Sequence, residues 1–99
     1  MDFKTEENRI YYEQNGKVLA EIEFEKVRED TYSIFYTFVD ESLRGQGVAS
    51  KLVEKAVDEI AKRNGKVEAT CSYAKAWLEK HGRNKNEGIW FWWYYLWWR

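Results

Sequence analysis

The sequence predicts an α+β fold, in which an antiparallel hairpin and a third strand precede a β-α-β crossover, with two helices in all. Two features of the pattern carry this prediction. The first forty residues predict strands, with apolar residues at every second position from Val18 to Phe24, whereas apolar residues recur at helical spacing after residue 47. An Asn-Gly pair at residues 15 and 16, the usual centre of a tight hairpin turn, interrupts the first of these regions. The length of 99 residues is typical of one domain with one core.

The first half of the chain predicts three antiparallel strands. Strands over Arg9–Gln14 and residues 17–27 flank the Asn-Gly pair, which tolerates the positive φ angles of a type I′ turn. In the second strand apolar and charged side chains alternate, so we expect one of its faces to be buried. After a polar turn, Thr31–Val39 is so rich in aromatic and β-branched residues that we expect both of its faces to be covered.

The second half predicts a long helix, a short strand and a shorter helix. Apolar residues recur at helical spacing over residues 48–61, with charged residues on the opposite side. Asn64-Gly65 supplies the left-handed residue that ends this helix. A strand over residues 66–71 and a helix over residues 72–81 follow. Because such crossovers are right-handed and return the chain in the same direction, the last strand is expected to lie parallel to the third.

The composition excludes several classes of function. The 16 basic and 17 acidic side chains leave a net charge of −1, so there is no overall positive field to attract nucleic acid. One cysteine excludes an internal disulfide, and with one histidine it cannot form a structural zinc site, so we expect no metal. The start MDFKTEEN lacks the basic and then apolar residues of a secretory signal, so we expect a cytoplasmic protein without a transmembrane segment.

The charge is unevenly divided along the chain. Residues 1–40 carry 5 basic and 10 acidic side chains, whereas residues 41–99 carry 11 and 7. An anionic ligand is therefore expected on the second half.

The loop before the long helix has the clearest functional pattern. It reads Arg44-Gly45-Gln46-Gly47, with Val48 and Ala49 at the helix start. The two glycines let the backbone turn tightly and bring successive N–H groups close to a ligand. The helix adds unsatisfied amides and the positive end of its dipole, which favours a phosphate. The alternative is that the glycines serve helix entry for steric reasons alone, since the loop is neither a Rossmann fingerprint nor a P-loop.

These residues resemble a known family. Arg44-x-x-Gly47-x-Ala49 matches the Arg/Gln-x-x-Gly-x-Gly/Ala signature of the GNAT superfamily of acetyl-CoA-dependent N-acetyltransferases. The order of elements also agrees, the resemblance covers roughly residues 8–82, and the chain is most similar to small bacterial GNAT-like proteins. We therefore expect a GNAT-like, acetyl-CoA-binding domain over residues 1–82, followed by a linker and an aromatic tail over residues 83–99.

The resemblance implies transfer of an acetyl group from acetyl-CoA, by direct attack, to an unidentified amine on a small molecule or a peptide. It implies that backbone amides of residues 44–49 hold the CoA pyrophosphate. It also implies that backbone groups near Phe38 and Val39 align the pantetheine and the thioester carbonyl between splayed parallel strands. Two alternatives stay open, a non-catalytic acyl-CoA-binding module and an assembly protein that acts through its aromatic tail.

Three residues are candidates for proton transfer or covalent catalysis. Cys71 stands where many GNAT proteins have an asparagine, and its thiol could accept an acyl group or pack as a small hydrophobe. Glu41, next to the loop, could act as a base through water or be a solvated carboxylate. The family's usual acid is a tyrosine of the short helix, but Leu78 occupies that position here and Tyr73 lies five positions away.

The segment from Ile89 to Trp98 is unusual because it has no charged residue and eight aromatic ones. It is too short to span a membrane as a helix. As a strand it would present two apolar faces, so we expect an extra strand within the domain or self-association through this segment. Insertion into a membrane interface and an addition not native to the domain are the alternatives.

Overall fold

The computed structural model describes residues 1–84, so the predicted tail from Ile89 to Trp98 and the linker from residue 85 onward lie outside the described residues. Within them a five-stranded sheet and two α-helices confirm the predicted α+β fold. The strands are β1 (Lys4–Thr5), β2 (Arg9–Gln14), β3 (Lys17–Arg28), β4 (Thr31–Val39) and β5 (Lys66–Ala69), and the helices are α1 (Val48–Lys62) and α2 (Ser72–Asn84). No helix in this part of the chain is long and apolar enough to cross a membrane.

The order of strands in the sheet follows the chain, β1-β2-β3-β4-β5. Neighbouring strands pair antiparallel except β4 and β5, which pair in parallel as the crossover rule predicts. The sequence did not predict β1, whose two residues are too few to show a period. β5 ends two residues earlier than predicted, and α2 continues to Asn84 instead of ending at residue 81. Gly82 does not end α2, because a glycine inside a helix costs only about 1 kcal/mol relative to alanine.

The two Asn-Gly pairs serve different purposes. Asn15 and Gly16 have φ angles of 54° and 79°, the pair of positive values that a type I′ turn requires. After α1, Asn64 alone takes the left-handed conformation, with φ 60°. Gly65 is needed for space, because a Cβ there would lie 2.8 Å from the Tyr32 ring. The glycine therefore lets the chain pass close to β4 as it enters β5.

Both helices pack on the same face of the sheet. The apolar side of α1 covers β3 and β4 at Ile22, Phe24 and Ile34, which are fully buried. α2 lies beside the start of α1, where the indole N–H of Trp77 donates a hydrogen bond to the Ser50 hydroxyl at 2.8 Å. Buried residues of both helices form one core cluster with the sheet. Within residues 1–84, no helix covers the opposite face.

β4 is covered over only half of its length, which corrects the expectation that both of its faces are covered throughout. Thr31, Ser33 and Ile34 are buried, whereas Tyr36 and Phe38 are 43% and 36% exposed. The physical reason is that these two rings lie on the side of the sheet that neither helix covers within residues 1–84, at a point where β5 no longer accompanies β4. The second half of β4 therefore continues beyond the edge that β5 protects.

A β-bulge separates the two halves of β4. In the pairing with β3, Phe24 lies opposite Ile34, but the preceding residue, Glu23, lies opposite Tyr36. Phe35 is thus an extra residue without a partner in the register. The bulge coincides with the point at which β5 ends its pairing with β4.

Candidate functional site

A groove of about 440 Å³ opens where β4 ends and α1 begins. The second half of β4, the glycine loop, the first turn of α1 and the start of α2 surround it. We call it the loop groove, and its lining residues are Thr37, Val39, Leu43, Arg44, Gly45, Gly47, Val48, Ala49, Ser50 and Tyr73.

The path of the chain into the groove is fixed by a short 3₁₀ helix over Glu41–Leu43. Asp40 caps it, because its carboxylate accepts hydrogen bonds from the backbone N–H of Ser42 at 3.0 Å and from its hydroxyl at 2.7 Å. These two hydrogen bonds hold the pKa of Asp40 below its usual range. Asp40 is therefore ionised at neutral pH and keeps the entry to the loop in one conformation.

The two loop glycines are required by backbone conformation. Gly45 and Gly47 have φ angles of 83° and 71°, in the left-handed region that side-chain-bearing residues rarely adopt. A Cβ on either glycine would meet no atom within 4 Å, so crowding is not the reason. Each glycine instead borders the open space of the loop groove.

The start of α1 offers positive charge to this space. Its N-cap residue, Gly47, provides no capping side chain, and no acidic residue lies in the first turn. The first N–H groups of the helix thus lack a side-chain partner, and they lie at the positive end of the helix dipole. Arg44 also lines the groove. This combination suits a phosphate or another anion.

The groove follows a free edge of β4. The backbone N–H groups of Thr70 and Cys71 both donate to the carbonyl of Ile34, at 3.0 and 3.3 Å. Beyond this point the two parallel strands separate, and within residues 1–84 no strand pairs with β4 on that side. Since Thr37 and Val39 line the groove, an extended ligand in it can hydrogen-bond to the backbone of β4.

Cys71 lies at the edge of the groove as the N-cap residue of α2, since its carbonyl accepts from the N–H of Lys75 at 2.9 Å. Its sulfur is 3.5 Å from the hydroxyl of Thr37, which lines the groove. Burial raises the pKa of the thiol, but hydrogen bonds from the backbone N–H groups of Ala74 and Tyr73 and from Thr37 lower it, and the net pKa is lowered. The sulfur is thus in surroundings that favour the thiolate.

Most of the predicted site residues meet in the loop groove. Those that line it are Val39, Arg44, Gly45, Gly47, Val48, Ala49 and Tyr73. Four others do not, and one of these, Cys71, lies at its edge beside Thr37. Gln46 belongs to the loop but not to the lining, Phe38 is an exposed residue of β4, and Glu41 is exposed on the 3₁₀ helix. The functional roles of all of these residues stay predictions.

Sequence reasoning missed three lining residues, Thr37, Leu43 and Ser50. The two-residue period of a strand places Thr37 on the same side as Val39, so this signal was available. Leu43 and Ser50 flank the predicted loop, but their approach to the groove depends on the 3₁₀ turn and on the packing of α2, which no spacing reveals.

Comparisons with known proteins agree on one family. A family model described as GCN5-related N-acetyl-transferase matches residues 8–86. The chain is similar to a GCN5-like protein from Staphylococcus aureus, solved by NMR, with 35% identity and a TM-score of 0.69 over 85% of this chain and 83% of that one. None of the curated proteins matches it.

Two longer structures share the fold. The ribosomal-protein-S18-alanine N-acetyltransferase from Escherichia coli is 27% identical, with a TM-score of 0.60 over 79% of this chain and 54% of that one. Rv2747 from Mycobacterium tuberculosis, in complex with CoA and NLQ, is 18% identical, with a TM-score of 0.62 over 76% of this chain and 47% of that one. The chain spans about half the length of these two proteins.

The glycine loop at the head of α1, the separation of β4 from β5 and the match over residues 8–86 together establish that the chain belongs to the GCN5-related N-acetyltransferase (GNAT) family.

Proposed function

We propose that the chain is an acetyl-CoA-dependent N-acetyltransferase that binds its cofactor in the loop groove and transfers the acetyl group to an amine. The single observation that carries this proposal is the uncapped start of α1 behind two left-handed glycines, facing an open groove. Family membership supports acetyl transfer in general. The cytoplasmic location expected from the sequence stays part of the proposal.

In this proposal the backbone amides of residues 44–49 bind the CoA pyrophosphate, with Arg44 as an added counter-charge. The pantetheine lies along the free edge of β4, where backbone groups near Phe38 and Val39 pair with its amides and polarise the thioester carbonyl. Such positioning is most of what the reaction needs, because the thioester is already activated.

Direct attack begins when the lone pair of a neutral amine reaches the carbonyl carbon of the thioester. The C–S bond then breaks, the CoA thiolate leaves, and the new amide nitrogen loses a proton. Tyr73 lines the groove and is the proposed donor of a proton to the departing thiolate. Glu41, which is exposed next to the loop, is the proposed acceptor of the amine proton through water.

The surroundings of Cys71 favour a second, covalent route. Its thiolate would attack the thioester carbon, expel the CoA thiolate and carry the acetyl group as a new thioester. The amine would then attack that thioester, form the amide and regenerate the thiolate. The lowered pKa of the thiol and its hydrogen-bond distance of 3.5 Å from Thr37 support this route.

Calorimetry with CoA and release of free thiol from acetyl-CoA in the presence of a panel of amines test the proposal. We expect CoA binding, and thiol release that depends on the amine. Binding without thiol release would identify a non-catalytic acyl-CoA-binding module instead. An absence of CoA binding at millimolar concentration would refute both assignments.

Mass spectrometry after mixing with acetyl-CoA separates the two routes. On the covalent route the wild-type chain gains one acetyl group on Cys71 before any amine is added, and Cys71→Ala neither gains it nor turns over. On the direct route Cys71→Ala still acetylates the amine. The variant Ser72→Ala is the matched control, because its hydroxyl neighbours the thiol in sequence but lies on an exposed residue.

A further inference from the structure

The hydroxyl of Ser50 connects the two helices at the border of the loop groove. Ser50 is the third residue of α1 and lines the groove. Its Oγ accepts a hydrogen bond from the indole N–H of Trp77, in α2, at 2.8 Å. Trp77 is buried and does not belong to the lining of the groove. Ser50 therefore contacts both the packed core and the space in which the cofactor is proposed to bind.

The proton of this hydroxyl has no acceptor within residues 1–84. A serine hydroxyl has one proton to donate and two lone pairs that accept. The indole N–H occupies one accepting direction, and the structure gives the hydroxyl no second hydrogen bond to any residue that it describes. A serine in a helix can donate to the carbonyl three or four residues earlier, but Ser50 bonds to neither Gly47 nor Gln46. Its proton is therefore available to a ligand in the groove.

The backbone of the same residue supplies a second donor. The first hydrogen bond of α1 runs from the N–H of Lys51 to the carbonyl of Gly47, at 3.1 Å. The N–H of Ser50 precedes this bond, so it is the last of the amides that a helix start leaves without an intrahelical partner. Since a helical Cα–Cβ bond tilts toward the N-terminus, the hydroxyl lies on the same side as these amides.

A serine at this position also suits an anion by its charge. The third position of a helix often carries glutamate or glutamine, whose side chain turns back to cap the helix start. A carboxylate there would repel a phosphate. Ser50 instead adds a donor without negative charge, in a first turn that contains no acidic residue.

We propose that Ser50 binds a phosphate of the cofactor through its hydroxyl, and that Trp77 is the positioning residue that directs this hydroxyl into the groove. The inference rests on the proposed function and adds a side-chain donor to the backbone amides of residues 44–49. By holding the oxygen, the indole prevents the hydroxyl from turning to the carbonyls of its own helix. A hydroxyl that donates to an anion also becomes a better acceptor, so the phosphate and the indole strengthen each other's hydrogen bond.

Calorimetry with CoA on the full chain tests the role of Ser50. Ser50→Ala should weaken CoA binding about tenfold, as for the loss of one hydrogen bond to a charged group. Ser50→Thr keeps the hydroxyl and should restore most of the affinity. The matched control is Ser72→Ala, which removes the hydroxyl of an exposed serine outside the groove lining and should leave the affinity unchanged.

The role of Trp77 is tested in two backgrounds. Trp77→Phe removes the indole N–H and keeps an aromatic ring. It should weaken CoA binding about threefold in the wild-type chain, as for the loss of one neutral hydrogen bond. It should have no effect on CoA binding by Ser50→Ala, because the indole acts through the hydroxyl. Gly16→Ala, in the hairpin turn away from the groove, is the control for a general loss of stability and should leave CoA affinity unchanged.

The indole proton of Trp77 gives a readout that a purely structural role would not change. Its NMR signal is identified by its loss in Trp77→Phe. Saturating CoA should move this signal downfield in the wild-type chain, because the hydroxyl that donates to phosphate becomes the stronger acceptor. The same addition of CoA should not produce this movement in Ser50→Ala.

Equal CoA affinity of Ser50→Ala and the wild-type chain overturns this inference. An equal effect of Trp77→Phe in both backgrounds, or an indole signal that CoA does not move, overturns the role of Trp77. In all of these cases CoA binding by the wild-type chain still supports the proposed function. An absence of CoA binding by the wild-type chain refutes the proposed function itself, and this inference with it.

Discussion

Replacing Gly47 with alanine separates the ligand-binding role of the glycine loop from its conformational role. At φ 71° an alanine is strained by about 1–2 kcal/mol. Because alanine leaves the unfolded chain with less conformational entropy than glycine does, about 0.4–1 kcal/mol of this strain is offset. The net loss of stability is about 1 kcal/mol, which lowers Tm by about 4–8 °C in a domain of this size.

Gly16→Ala is the matched control for this experiment. Its φ of 79° is similar, and a Cβ there also meets no atom within 4 Å. Gly16 does not line the loop groove, whereas Gly47 does. Both variants should therefore lose similar stability by thermal unfolding, while only Gly47→Ala projects a methyl group into the space where the pyrophosphate is proposed to lie.

We expect Gly47→Ala to weaken CoA binding at least about tenfold, as for the loss of one hydrogen bond to a charged group. Calorimetry at a temperature where all three proteins are folded measures the effect. Equal CoA affinity of Gly47→Ala and the wild-type chain would refute the placement of the phosphate at the start of α1. An equal loss in Gly16→Ala would show that the effect is global.

Three further predictions concern the thiol, the contact between helices and the entry to β5. Because the hydrogen bonds to Cys71 favour the thiolate, the rate of its alkylation by iodoacetamide should have its pH midpoint below the usual thiol value of about 8.5. Thr37→Val should move this midpoint upward, and a wild-type midpoint above about 8.5 would contradict the reasoning. Trp77→Phe should lower the free energy of unfolding by about 1 kcal/mol, measured by urea unfolding followed by circular dichroism. Adding Ser50→Ala should lower it little further, because both substitutions remove the same hydrogen bond, and fully additive losses would show that the two side chains act independently. Gly65→Ala should destabilise by about 1–3 kcal/mol, because its methyl group would lie 2.8 Å from a ring on β4; unchanged stability would show that the ring moves freely.

The elements that the sequence predicted are those whose cause is local. The hairpin turn depends on two adjacent residues, Asn15 and Gly16, and its positive φ angles are confirmed. α1 and the parallel pairing of β4 with β5 depend on a helical period and on the handedness of crossovers. Each of these can be inferred from spacing alone.

The features that escaped prediction depend on contacts between distant segments. The exposure of Tyr36 and Phe38 depends on the side of the sheet on which the helices pack and on the length of β5, neither of which their own segment encodes. The helix-capping position of Cys71 appears only because β5 ends at Ala69. In the same way, Tyr73 enters the groove through the packing of α2, although its position in sequence differs from that of the family's tyrosine.

The bulge at Phe35 determines which half of the side chains in β4 a ligand meets. If β4 continued as a regular strand from Ile34, with Phe35 paired instead of bulged, Tyr36 and Phe38 would fall in phase with the core and project into the cavity beside α1. The bulge shifts the alternation of side chains by one residue, so that Thr37 and Val39 border the cavity while the two rings remain outside it. The bulge thereby keeps two aromatic rings out of the loop groove, and it gives the outer surface of β4 its aromatic character.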